Sequence, residues 1–303
     1  MVNLAELYPF QSKFLPVGDW RYHYVDEGQG EPLLMIHGNP SWSFLYRDLI
    51  RAFADRYRTI APDHIGCGFS DKPSSEAYPY RLERRVADLE SFIDQLQLKN
   101  ITLVVHDWGG MIGLACAVRR PELFRRLILF NTAAFPKPAS KRMPWTISLC
   151  RQPLLGPLLV QGFNAFGRGA AKFCTVRPLN HQEKAGFLYP YQNWDSREAI
   201  YEFVRDIPLK ESDPSYELLQ ETAKHLDRLQ HLPTLIMWGE KDFVFDQHFL
   251  NEWRRRLPKA EVVSFPQAGH YVIEDAKQDI IARMEQFLRA HPSGTDNKDE
   301  ELI

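Results

Sequence analysis

Leu103-Val104-Val105-His106-Asp107-Trp108-Gly109-Gly110 is an apolar run that ends on a carboxylate and passes at once, through a tryptophan and two glycines, into the small-residue segment Met111 to Val118. A run apolar at every position belongs in a parallel sheet covered on both faces. A sheet of that kind needs a helical layer on each side. The sharp strand-to-helix turn is a nucleophile-elbow pattern, which raises Asp107 above the sheet edge. Gly109 and Gly110 supply the small neighbours such a turn needs, whereas Val105, two residues before the tip, is larger than the pattern prefers.

The rest of the chain supplies matching units. Asp19 to Val25 alternates aromatic and polar residues as an antiparallel strand does, and Leu33-Leu34-Met35-Ile36 is a buried strand that exits through His37-Gly38-Asn39-Pro40. Helical periods follow over Trp42 to Ala54 and Arg85 to Leu96, with the strand Tyr57 to Ala61 between them. Ile101 to Val105, Arg126 to Asn131, Thr234 to Trp238 and Ala260 to Phe265 complete the strands, with helices expected at Phe249 to Arg255 and Ala276 to Leu288. Strand, loop and helix in alternation predict an α/β fold, a mostly parallel sheet flanked by helices. After Asn131 the alternation stops, and a Pro-rich, aromatic stretch reads as an inserted helical cap. The expected organisation is a core over 1–132 and 213–290, a cap over 133–212 and a polar, disordered tail over 291–303.

Composition removes several classes of function. Lys plus Arg number 37 against 39 acidic residues, a net charge near zero that gives no electrostatic case for nucleic acid. No segment reaches the roughly 20 apolar residues that cross a bilayer, and the amino terminus carries no secretory or transit pattern. Cys67, Cys116, Cys150 and Cys174 lie far apart with no C-x-x-C spacing, which speaks against a metal site and fits reduced thiols in the cytoplasm. No cofactor-binding or metal-binding motif is expected, and Gly66-Cys67-Gly68 is too short for a phosphate loop.

Asp107, Asp242 and His270 leave the carboxyl ends of strands in the order nucleophile, acid, histidine. A carboxylate nucleophile can displace a leaving group from saturated carbon and form an alkyl ester, which water then cleaves. His270 is the expected general base for that water, with Asp242 holding the imidazole. Asn39 and Trp108 offer an amide and an indole N–H to the leaving group, and backbone amides of the same loops suit an oxyanion. His106 should point away from the pocket and support it from behind, and Asp63, His64 and Asp71 read as loop-capping residues. Asn131 stands where a carboxylate could have served as the acid, which favours Asp242. Phe135, Trp145, Phe163, Phe166 and Tyr189 are the expected lining of an apolar pocket for a hydrophobic small molecule.

These segments resemble the haloalkane dehalogenases, an Asp-nucleophile branch of the α/β-hydrolases, from about Tyr8 to Leu288. The resemblance implies an eight-stranded α/β-hydrolase fold and makes Asn39 and Trp108 the halide-binding pair. Pro62-Asp63-His64-Ile65-Gly66-Cys67-Gly68-Phe69-Ser70 looks more like the neighbouring β-lactone (cis-3-alkyl-4-alkyloxetan-2-one) decarboxylases of bacterial olefin biosynthesis, which turn a dialkyl β-lactone into a cis-alkene and carbon dioxide. That resemblance implies self-association or assembly with other enzymes of the olefin pathway. Either a β-lactone or a 1-haloalkane suits the motifs. An ester or epoxide hydrolase is the lesser alternative, and the epoxide case would need Tyr189 or Tyr191 as proton donor.

Overall fold

The structure is a computed structural model describing residues 4–292. The tail expected over 291–303 lies almost wholly outside the described residues. Eight strands form one sheet: β1 (Lys13–Val17), β2 (Trp20–Glu27), β3 (Pro32–Ile36), β4 (Arg58–Pro62), β5 (Ile101–Asp107), β6 (Phe124–Thr132), β7 (Thr234–Gly239) and β8 (Glu261–Phe265). Their order is β1-β2-β4-β3-β5-β6-β7-β8. β1 and β2 pair antiparallel, β2 meets β4 antiparallel, and every pairing from β4 to β8 is parallel. The residue patterns locate seven of the eight strands that the resemblance implies; β1 escapes them, because its short run is interrupted by Pro16.

All seven residues of β5 are buried, because β3 and β6 flank it and helices cover both faces. Alternate residues divide between two cores, as the pleat requires. Leu103, Val105, Leu127, Leu129, Ile236 and Trp238 face the helices Leu82–Gln95 and Trp108–Arg119. Val104, Ile128, Phe130, Leu235 and Met237 face the helices Arg47–Phe53 and Lys277–Ala290.

Two helix starts depart from the sequence pattern for tertiary reasons. The helix expected from Trp42 begins as a 3-10 turn, Ser43–Tyr46, because the Ser43 N–H donates to Asp63 Oδ1 at 2.8 Å. The helix expected from Arg85 begins at Leu82, whose N–H is capped from the far side of the chain by Asp206 Oδ2 at 2.8 Å and Ser215 Oγ at 3.2 Å. Between β6 and β7 the chain inserts short helices, including Trp145–Cys150, Ala165–Phe173, His181–Leu188 and Glu198–Arg205. Arg47 and Glu274, both buried, form a two-pronged ion pair that fixes the segment following His270 to the helix Arg47–Phe53.

Candidate active site

Asp107 is the last residue of β5 and sits at φ +52°, ψ −126°, a conformation that costs a side chain of this kind about 1–3 kcal/mol. The surroundings hold it there. Thr132 Oγ donates to the Asp107 carbonyl at 2.5 Å. The helix that follows presses so close to β3 that a Cβ on Gly109 would fall 1.9 Å from the Ile36 carbonyl oxygen. Val105 is tolerated at its position because the residue it meets is Gly113, where an added Cβ would lie 2.9 Å from a Val105 methyl carbon. The small residue has moved from the strand to the helix.

The Asp107 carboxylate is buried, and the backbone N–H groups of Asn39 and Trp108 both donate to it, that of Asn39 to Oδ1 at 2.7 Å. His270 Nε2 stands 3.7 Å from Oδ2, and His270 Nδ1–H donates to Asp242 Oδ2 at 2.8 Å. The other Asp242 oxygen accepts the Val244 N–H at 2.6 Å, which fixes the carboxylate plane. Burial raises the Asp107 carboxyl above its ordinary value, opposed by His270 and the two amides. Burial works against charge on His270 as well, but Asp242 and Asp107 outweigh it and hold the imidazole above its ordinary value. Asp107, His270 and Asp242 thus stand side by side in one buried line.

Asn39 leaves β3 through His37 and Gly38, and its Nδ2 donates one proton to the Ile200 carbonyl at 3.2 Å. A primary amide has a second proton to give. The Trp108 indole packs edge-on against Phe203 at 5.1 Å, and the buried Arg85, paired with Asp206, sits over both rings. Its N–H has no acceptor among the described residues. Asn39, Asp107, Trp108 and His270 line one cavity of about 360 Å³.

Phe135, Trp145 and Phe166 also line that cavity. Phe163 and Tyr189 do not. Phe163 projects outward from the turn after Gly162, and Tyr189 leans outward over Phe69. Neither of the tyrosines weighed as proton donors reaches the cavity, because the buried Tyr191 hydroxyl accepts from the Gly68 N–H and donates to the Ser41 carbonyl. Sequence reasoning missed Met143, Phe173, Phe245 and Phe249, which complete the apolar wall. Phe245 and Phe249 share the core loop and helix that follow Asp242, so attention to the cap alone hid them.

Three further polar residues position the site. His106 donates Nε2–H to the His270 carbonyl at 2.8 Å and packs its ring 4.6 Å from the His270 ring. Asn131 exchanges two hydrogen bonds with the Gly239 backbone, which locks β6 to β7 just before the Asp242 turn. Asp63 accepts from Ser43 N–H, Phe69 N–H and His23 Nδ1–H, tying the Asn39 loop to the loop after β4. Burial opposes its ionisation, yet His23 and these donors hold its carboxyl far below the usual range. A depressed carboxyl stabilises the fold above its unfolded pKa of about 3.9 and loses that contribution as the pH falls toward the folded value. Asp63→Ala is expected to lower unfolding stability by about 3–5 kcal/mol at pH 7, and by less at pH 3, in urea titrations at both pH values. Equal losses at the two pH values would contradict this role.

A family model for the alpha/beta hydrolase fold matches residues 31–164 and 177–277. Among similar proteins, the cis-3-alkyl-4-alkyloxetan-2-one decarboxylase of Shewanella oneidensis is 47% identical over 287 residues, 94% of this chain and 90% of the relative. Haloalkane dehalogenase 2 of Mycobacterium tuberculosis is 32% identical over 279 residues, 91% of this chain and 94% of the relative. The crystal structure of a haloalkane dehalogenase from Agrobacterium tumefaciens superposes with a TM-score of 0.85 at 25% identity, over 93% of this chain and 97% of that one. The chain belongs to the α/β-hydrolase family, in the group that holds the cis-3-alkyl-4-alkyloxetan-2-one decarboxylases and the haloalkane dehalogenases.

Proposed function

We propose that this enzyme decarboxylates cis-3-alkyl-4-alkyl β-lactones to cis-alkenes and carbon dioxide, with Asp107 as nucleophile. The observation that carries the reading is the full-length likeness to decarboxylases at 47%, well above the 32% shared with a haloalkane dehalogenase. Haloalkane hydrolysis at the same residues is the second reading, and it rests on the same likeness of site and fold.

The geometry favours one route through the lactone. The two backbone amides that could have cradled a substrate carbonyl oxygen are occupied by the Asp107 carboxylate itself. The donors left for substrate are the Asn39 amide and the Trp108 indole, which suit a departing carboxylate oxygen. Asp107 therefore attacks the ring carbon that bears oxygen. Its oxygen forms a bond to C4 as the C4–O bond breaks, and the ring opens to a carboxylate held by Asn39 and Trp108. Backside attack leaves the Asp107 oxygen antiperiplanar to the new carboxylate. The C3–carboxylate bond then breaks, its electrons form the C3=C4 double bond, and the C4–O bond to Asp107 returns its pair to the enzyme. Inversion followed by anti elimination keeps the two alkyl groups on one side, so a cis ring gives a cis-alkene. No water or proton is consumed, and the apolar cavity gains about 0.8 kcal/mol for each methylene it buries.

The same reading has the enzyme at work in the cytoplasm, in association with itself or with the enzymes that make its lactone. Side-by-side assays of a long-chain cis-β-lactone and 1-bromohexane, reading alkene against bromide, test it. Alkene formation should exceed bromide release at equal concentration, and bromide release far above lactone conversion would overturn it.

A further inference from the structure

We infer that the outer face of the cap, around the mouth of the substrate cavity, docks on an anionic lipid bilayer. The inference rests on the hydrophobic-substrate reading above only for its purpose. Its physical basis is the surface itself. No helix among the described residues is long and apolar enough to span a membrane, so the contact is interfacial.

Among the described residues, most of the exposed large apolar side chains lie between Trp145 and Trp194, in the cap. Leu154 is 88% exposed, Trp145 74% and Phe163 61%. Trp145, Leu149, Phe173 and Phe243 are exposed and also line the active-site cavity, so they form its rim. A rim of this kind gives an oily substrate or product a continuous apolar path between the site and whatever covers the face.

Charge says what covers it. No Asp or Glu occurs between Glu122 and Glu183, while Lys and Arg recur throughout. Of the carboxylates that face this segment from elsewhere, Asp246, Asp213 and Glu183 are taken by Lys141, Arg151 and Arg177, Asp275 accepts the Val176 and Arg177 backbone amides, and the exposed Asp195 beside Trp194 is left without an ion pair among the described residues. Arg142, Arg168 and Lys172 remain exposed and form no ion pair among the described residues. Arg168 and Lys172 stand one helical turn apart on Ala165–Phe173, the helix that contributes Phe173 to the rim. Exposed Trp, Phe and Leu beside unpaired cations is the pattern that seats a protein in the headgroup region of an anionic membrane. A second copy of this chain would bring the same uncompensated cations face to face. Long-chain substrate would then enter from the bilayer, and alkene would leave into it, without crossing water.

The test is co-sedimentation of the full chain, without substrate, on vesicles of phosphatidylcholine alone and of phosphatidylcholine with phosphatidylglycerol. Binding is expected only to the anionic vesicles and should weaken as salt rises. Leu154→Asp with Phe163→Asp, and separately Arg168→Glu with Lys172→Glu, should each lower partitioning by about tenfold or more. Neither pair lines the cavity, so both variants should keep wild-type turnover of a short, detergent-dispersed lactone. No vesicle binding, equal binding to neutral vesicles, or wild-type binding by both variants would overturn the inference. So would a dimer in analytical ultracentrifugation that the Leu154→Asp, Phe163→Asp variant dissociates, since the face would then be covered by a second copy. Binding is read without turnover, so an enzyme that prefers haloalkanes would leave this result standing, and a decarboxylase that ignores vesicles would overturn this inference alone.

Discussion

Asp107→Ala is expected to abolish alkene formation, a loss of about 10⁴-fold or more, equivalent to at least about 5.5 kcal/mol of transition-state stabilisation. The fold should survive, because the strained backbone at this position is held by Thr132 and by the close approach of Gly109 to β3. Asp107→Ser is the sharper variant. It would empty the space in which the carboxylate accepts the Asn39 and Trp108 amides, and two free amides are an oxyanion hole. His270 would then have a hydroxyl to deprotonate and Asp242 behind it, the arrangement of a serine hydrolase. The serine should attack the lactone carbonyl, expel the ring oxygen with the proton from His270, and yield the β-hydroxy acid after water enters. Gas chromatography of the products from a cis-β-lactone distinguishes the outcomes. Alkene from Asp107→Ser at more than a few per cent of the wild-type rate would show that the carboxylate is not the nucleophile.

That contrast also explains what the sequence made legible. The tip of β5 is written locally, since an apolar run, a carboxylate and two glycines specify a buried strand and a sharp turn without help from the rest of the chain. The placement of Asp242 and His270 was readable for the same reason, each lying in the loop that follows a strand of its own. The pocket wall was less readable. Phe163 and Tyr189 look like lining because the cap is aromatic, but the turn after Gly162 directs one outward and Phe69 takes up the other. Which face of a short cap helix looks inward depends on how it packs, not on its composition. The start of Leu82–Gln95 is hidden in the same way, because its cap comes from Asp206 and Ser215, more than a hundred residues away. Val105 is an instructive departure, since the pattern that asks for a small residue there is met by Gly113 across the interface.

His270→Gln should separate two chemistries that the intact site can host. With 1-bromohexane, Asp107 needs no activation to displace bromide, but the resulting ester needs a base to activate water. The variant should release about one equivalent of bromide and stop, and intact-mass and peptide analysis should find the hexyl ester on Asp107. With a cis-β-lactone, the route through C4 uses no water and returns Asp107 at the end. Alkene formation should therefore continue, within about tenfold of wild type, a smaller loss than the 10²–10⁴ that removal of a true general base costs. The wild-type pH profiles should diverge in the same sense. Asp242 and Asp107 hold the His270 imidazole above its ordinary value, so bromide turnover, which needs it neutral, should fall as the pH drops through that raised value. Alkene formation needs only the Asp107 carboxylate, and a protonated His270 beside it favours that ionised form, so this activity should persist to lower pH. Loss of alkene formation in His270→Gln as complete as the loss of bromide turnover would mean that a proton moves in the decarboxylation, and the displacement at C4 would have to give way to attack at the lactone carbonyl.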